Sequence, residues 1–158
     1  MGDTTELGRL FSPRSVAIVG ASSNPESISG RPLKLLKRYG FKGPIYPVNP
    51  KYDFIEGLRC YPSLGTLPEA PDVVLVGVRA SMVPGVMKDC ARLGVGFAVI
   101  FSSGFAESDE AEAQEELVRI GKTGGVRILG PNCQGLVNLA QGLPLSFSAS
   151  LDTDRRPS

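Results

Sequence analysis

Short apolar runs alternate with amphipathic stretches along almost the whole chain. Val16-Ala17-Ile18-Val19, Val73–Val78 and Phe97–Phe101 are nearly continuous aliphatic or β-branched runs, the pattern of strands buried on both faces. Ile45-Tyr46-Pro47-Val48 and Val126–Leu129 are shorter runs of the same kind. Pro47 cannot donate to a ladder, so the first of these is expected at a sheet edge. Between the runs, the spacing predicts a helix over about Gly30–Tyr39, with Leu33, Leu36 and Tyr39 near one face and Lys34, Lys37 and Arg38 outside. A second helix is predicted over about Met82–Leu93, with Val83, Val86, Cys90 and Leu93 at helical spacing. A third starts after Ser108 or Asp109, carries Glu110 and Glu112 in its first turn, and runs to about Gly121. Leu10–Arg14 reads as a turn against the sheet edge. Lys51–Pro71 reads as irregular, with a short strand at Leu58–Tyr61, and Leu136–Asn138 is a short apolar piece.

Strands alternating with helices predict an α/β fold: a Rossmann-like, doubly wound, mostly parallel sheet in a single domain. The domain is expected over residues 1–150. The polar stretch 151–158 reads as a linker or a cut end. Right-handed crossovers bring every strand's carboxyl end to one edge.

The residues collected on that edge can be read off the strand ends. The first strand runs into Gly20-Ala21-Ser22-Ser23, and a helix begins near Gly30. Small residues at a strand-to-helix corner let backbone N–H groups approach an anion, and the helix dipole favours it. A side chain at Gly20 is expected to fill that space. The other corners supply Asn49-Pro50-Lys51, then Arg79-Ala80-Ser81, then Ser102-Ser103-Gly104-Phe105, then Gly130-Pro131-Asn132-Cys133. Hydroxyls, small residues and two cations meet there, without a carboxylate at any corner. Such an edge suits a ligand with several phosphates. Taken singly, each has a plainer reading: Lys51 as a loop lysine, Arg79 in a structural ion pair, Ser102-Ser103-Gly104 as a turn, Asn132 as a turn residue and Cys133 as a buried thiol.

The dinucleotide fingerprint wants G-x-G-x-x-G after the first strand and an acidic residue after the second. Here Gly20 is followed by Ala21-Ser22, and the second strand ends in Asn49 and Lys51. A lysine there can instead pair with an extra ribose phosphate. NADP and coenzyme A both carry one, and the residues by themselves leave the two open.

Composition narrows the chemistry. The chain has 158 residues, net charge +1 and a pI near 7.7, which points to neither a nucleic-acid binder nor an acidic tail. Its three cysteines, Cys60, Cys90 and Cys133, are widely spaced with no C-x-x-C pair. Reduced thiols in a cytoplasm are therefore expected, with no zinc site. No signal peptide and no membrane-spanning run is visible. The chain has no histidine. Ser-His-Asp hydrolysis, histidine-ligated metal and phosphohistidine chemistry are therefore excluded within this polypeptide.

Several segments taken together carry a family resemblance. Leu10–Ser22 (LFSPRSVAIVGAS), Gly40–Lys51 (GFKGPIYPVNPK), Tyr61–Pro71, Ser103–Glu107 (SGFAE) and Gly130–Asn138 (GPNCQGLVN) resemble, in this order and spacing, the N-terminal CoA-binding domain of NDP-forming acyl-CoA synthetases. That group includes ADP-forming acetyl-CoA synthetase and the α subunit of succinyl-CoA synthetase. The resemblance implies that coenzyme A is the ligand. Gly20, Ala21, Ser22 and Ser23, with the helix start at Gly30, would hold its pyrophosphate. Lys51, after Asn49 and Pro50, would meet the phosphorylated ribose. Val78, Arg79 and Ala80 would border the adenine and pantetheine path, and Ser102, Ser103, Gly104 and Phe105 the pantetheine arm. Asn132 and Cys133 would lie near the thiol. It implies no catalytic residue and no metal ligand here. In that family a histidine of a flavodoxin-like domain carries phosphate to an ATP-grasp domain, and both would be partners absent from this chain. Stand-alone CoA-binding proteins and synthetase-like regions of protein acetyltransferases share the domain. A non-catalytic CoA-responsive module and an NADP-binding oxidoreductase module are the alternatives.

Overall fold

In a computed structural model, which describes residues 2–102 and 110–152, five parallel strands form the central sheet. They are β1 (Val16–Val19), β2 (Ile45–Val48), β5 (Val73–Val76), β6 (Phe97–Ile100) and β7 (Arg127–Leu129), in the order β2-β1-β5-β6-β7. Their alternating side chains face two separate cores. Val16, Ile18, Val73, Leu75, Phe97 and Val99 point to one. Ala17, Val19, Val74, Val76, Ala98 and Ile100 point to the other. Burial on both faces is why these runs are continuous rather than alternating.

Helix α2 (Arg31–Arg38) covers the first face through Leu33 and Leu36. Helices α3 (Val83–Leu93) and α4 (Glu110–Gly124) cover the second through Val83, Met87, Cys90 and Leu117. The α/β, doubly wound expectation holds. Cys90 is fully buried, and burial pushes its thiol up to about 12, as suits a core residue. Pro47 does sit on the edge strand, where its carbonyl accepts from Tyr61 N–H at 2.9 Å.

Four local expectations needed correction. Leu10–Arg14 is not simply a turn, because α1 (Gly2–Phe11) is a helix. Its described apolar positions, Leu7, Leu10 and Phe11, amount to one turn of stripe and left it unread. The predicted strand at Leu58–Tyr61 is present but shorter, as β4 (Leu58–Arg59) in a tight hairpin with β3 (Phe54–Ile55), and Tyr61 forms an isolated bridge to Val48. Glu56 and Gly57 both take positive φ, 49° and 78°, as a two-residue turn of this hand demands. The third predicted helix extends past Gly121 to Gly124. Leu136–Asn138 belongs to β8 (Gly135–Asn138), which pairs with β9 (Leu143–Ser146). Nothing in Leu143-Pro144-Leu145-Ser146 alternates, yet all four are buried, because β9 packs on α2 and the first core.

Leu151 and Asp152 are tied to α2 and the residue after it. The Asp152 carboxylate accepts from Lys34 Nζ and Arg38 Nη1 at 2.6 Å each, and Tyr39 Oη donates to Leu151 O at 3.0 Å. Residues 151 and 152, expected to begin a linker, are thus packed here; 153–158 lie outside the described residues. Among the described residues no helix is long and apolar enough to cross a membrane.

Candidate functional site

The chain steps outward from β1 to β2 and then returns to the other side of β1 as β5. This reversal opens a crevice at the strands' carboxyl ends, the place where doubly wound sheets take ligands. Here it is a cleft of about 400 Å³ lined by Gly20, Asn49, Pro50, Lys51, Val78 and Arg79 among others. Six of the expected residues, from three separate corners, therefore share one cavity.

Gly20 stands at its base with φ 85°. A Cβ there would come to 2.8 Å from Gly77 O and 2.9 Å from the Val78 side chain. The residue is glycine because the end of β5 presses on it, so a larger side chain strains the sheet edge itself as well as any ligand space. Beyond it, Gly20 N–H donates to Val48 O at 2.9 Å. The amides of Ala21, Ser22 and Ser23 donate to no other backbone carbonyl among the described residues. Ser23 N–H also turns toward Tyr52 Oη, so the amides of Ala21 and Ser22 are the donors that this loop can offer to an anion. Ser22 Oγ accepts from Asn24 N–H at 3.1 Å and shapes the turn.

Asn49 holds two corners together. Its Nδ2 donates to Ala21 O and its Oδ1 accepts from Lys51 N–H, both at 2.9 Å. The side chain thus fixes the first loop against the lysine turn. Tyr52, which the sequence did not single out, adds a second tie: Ser23 Oγ donates to Tyr52 Oη at 3.3 Å. That bond, followed by one from Ser22, holds the Tyr52 phenol below its ordinary value.

Lys51 and Arg79 are both exposed. Neither has an ion-pair partner among the described residues, in contrast to Arg14, Arg31, Lys34, Arg38 and Arg92. The structural ion pair considered for Arg79 is therefore not found among them. Two cations without an ion-pair partner among the described residues flank the amides of Ala21 and Ser22, an arrangement that attracts phosphate groups.

Gly30 fits the cradle differently from its expected role. Its N–H donates to Ser27 Oγ at 3.0 Å, and Arg31 N–H donates to Ser27 O at 2.9 Å. A Cβ on Gly30 would lie 1.8 Å from Asn24 O. Gly30 closes the loop by close backbone approach, and these two amides of the helix start are engaged within it.

The remaining expected residues gather at the ends of β6 and β7. Ser102 is buried, and its hydroxyl donates to Val78 O, which links this group to the cleft. Asn132 N–H donates to Ser102 O at 2.9 Å, and Asn132 takes φ 54°, a conformation that asparagine tolerates. Cys133 Sγ lies 3.3 Å from Ile100 O, and burial pushes its thiol up. Ala80 begins a 3-10 turn leading into α3. Ser103, Gly104 and Phe105 lie outside the described residues.

Pro62, Leu64, Met82, Val86 and Asp89 also line the cleft and were not foreseen. The spacing of Met82, Val86 and Asp89 along one helix face was the available signal.

Comparison with known proteins agrees with this geometry. The family model described as a CoA binding domain matches residues 14–138. An ADP-forming acetate–CoA ligase II of Archaeoglobus fulgidus is 43% identical over 145 residues, covering 90% of this chain and 22% of the relative. The α subunit of the ADP-forming acetate–CoA ligase I of Pyrococcus furiosus is 39% identical, covering 89% of this chain and 32% of the subunit. An acetyl-coenzyme A synthetase 1 structure from Ca. Korarchaeum cryptofilum, determined with phosphate and ADP, superposes with a TM-score of 0.85 at 44% identity, covering 89% of this chain and 30% of that one. The chain therefore spans under a third of each of these relatives. A cleft at the switch point of a five-stranded parallel sheet and these similarities lead to one conclusion: this chain belongs to the CoA binding domain family, in the form shared with ADP-forming acetyl-CoA synthetases.

Proposed function

We propose that the chain binds coenzyme A in the switch-point cleft and presents its thiol to domains that complete an NDP-forming acyl-CoA synthetase. The observation that carries this reading is the meeting of Lys51 and Arg79 with Gly20 and its loop around one cavity. Lys51 pairs with the ribose phosphate, amides of the Ala21–Ser23 loop donate to the pyrophosphate, and Arg79 adds charge at the mouth. Val78, Ser102 and the Asn132–Cys133 turn line the way toward the thiol end. Bound coenzyme A would supply the thiol that takes up an acyl group. The chain's own residues bind and orient it. Phosphoryl transfer belongs to a histidine-bearing flavodoxin-like domain and an ATP-grasp domain, since this sequence has no histidine.

Thermal unfolding with coenzyme A, dephospho-CoA, NADP and NAD in parallel tests the reading. Ligand at about 100 times its Kd adds roughly 2.7 kcal/mol, a rise of several degrees in Tm for a domain of this size. The largest rise is expected with coenzyme A. A rise with NADP alone would replace the reading with a redox module.

A further inference from the structure

Asp89 is the one carboxylate among the described residues lining the cleft. It sits on α3 in line with Met82 and Val86, at the i, i+4, i+7 spacing of a single helix face. Seven residues of helical rise put Asp89 about 10 Å from Met82 along the axis. The cleft is thus polarised. Lys51 and Arg79 belong to the corners after β2 and β5, whereas Asp89 stands about two turns along α3, half-exposed, in a lining that also includes Pro62 and Leu64. The surfaces between are apolar, formed by Leu64, Val78, Met82 and Val86.

A carboxylate can only accept hydrogen bonds, and it repels phosphate. A ligand group beside Asp89 must therefore be a donor, N–H or O–H, and the apolar surroundings favour one carried on a ring. One carboxylate oxygen accepts from Arg92 Nη2 at 2.8 Å, which steadies the side chain and leaves the other oxygen available. Flat apolar walls ending in an acceptor suit a planar heterocycle that carries an amino group.

Resting on the coenzyme A reading, we propose that Asp89 reads the base: its carboxylate accepts from the exocyclic amino group of adenine, setting the ring against α3 and the phosphates at Lys51 and Arg79. A base with a carbonyl at that position would turn lone pairs toward the carboxylate and be rejected.

The test is calorimetric titration of the full 158-residue chain with coenzyme A, adenosine 3′,5′-bisphosphate and inosine 3′,5′-bisphosphate. The native chain is expected to prefer the adenosine ligand by about tenfold, the scale of one charge-assisted hydrogen bond. In Asp89→Asn, whose amide can donate to a carbonyl, the preference should fall to about twofold or less. Arg92→Gln should keep it. Coenzyme A binding without base preference in the native chain, or an unchanged preference in Asp89→Asn, overturns the assignment and leaves the coenzyme A reading intact. A loss in Arg92→Gln equal to that in Asp89→Asn also overturns it. Absence of binding by all three ligands overturns both.

Discussion

Asn49 and Ala21 lie 28 positions apart in the chain, yet Asn49 Nδ2 donates to Ala21 O at 2.9 Å. The same amide group accepts from Lys51 N–H at 2.9 Å. One side chain therefore sets the distance between the loop that offers amides and the turn that offers a cation. Its two polar atoms act mainly within the protein, so the asparagine positions the site rather than reading the ligand.

Asn49→Ala should weaken coenzyme A and dephospho-CoA by the same factor, about fivefold, as expected for loss of a bond worth roughly 1 kcal/mol. Calorimetric titration with both ligands checks this. A loss confined to coenzyme A would give Asn49 a direct role at the ribose phosphate.

Lys51→Ala should do the opposite and separate the two ligands. Coenzyme A should weaken about tenfold, the scale of one charge-assisted contact, while dephospho-CoA changes little. Because Lys51 is exposed, the fold should be unaffected. Equal losses for the two ligands would remove the ribose-phosphate assignment.

Gly20→Val should lower stability and not merely block a ligand. Its Cβ would meet Gly77 O at 2.8 Å, on a backbone with φ 85°. Strain of this kind costs on the order of 1–3 kcal/mol for the backbone conformation alone. A drop of several degrees in Tm is expected without ligand, and lost binding should accompany it. A Tm equal to that of the native chain would show that the sheet edge gives way, restoring the simpler picture of a side chain intruding on phosphate space.

The Asp72–Arg14 pair makes stability depend on acid. Arg14 donates through its backbone N–H at 2.8 Å and through Nε and Nη2 at 3.1 Å each. Burial pushes the Asp72 carboxyl up, but the hydrogen bonds and charge of Arg14 outweigh it and leave the group below its ordinary value. A depressed carboxylate contributes stability that is present above its unfolded value of about 3.9 and lost as pH falls through the folded value. Urea unfolding should therefore show stability declining below about pH 4, less steeply in Asp72→Asn. An identical slope in the variant would assign the acid sensitivity elsewhere, with Glu26 and Asp152 as the other depressed carboxylates among the described residues.

Strand and helix order were legible because burial on two faces leaves a local mark. Val73–Val76 and Phe97–Ile100 need apolar side chains on both sides, so their runs stand out in sequence. The corner residues followed from the same order, since a right-handed parallel sheet sends every strand end to one edge. The β8–β9 hairpin and α1 left no comparable mark. Pro144 and Ser146 are buried by what packs over them, not by any pattern of their own.

The sequence by itself determined the fold class, the cations and small residues of the edge, and the family resemblance that pointed to coenzyme A. All of these are carried by local runs and by motif order. Only the tertiary structure decided what each residue does there. Gly20 answers to the end of β5, Asn49 to Ala21, Ser102 to Val78, and Asp89 to a cleft shared with Lys51 and Arg79. Those pairings join positions tens of residues apart. They depend on strand order and on which helix covers which face, and no local periodicity encodes either.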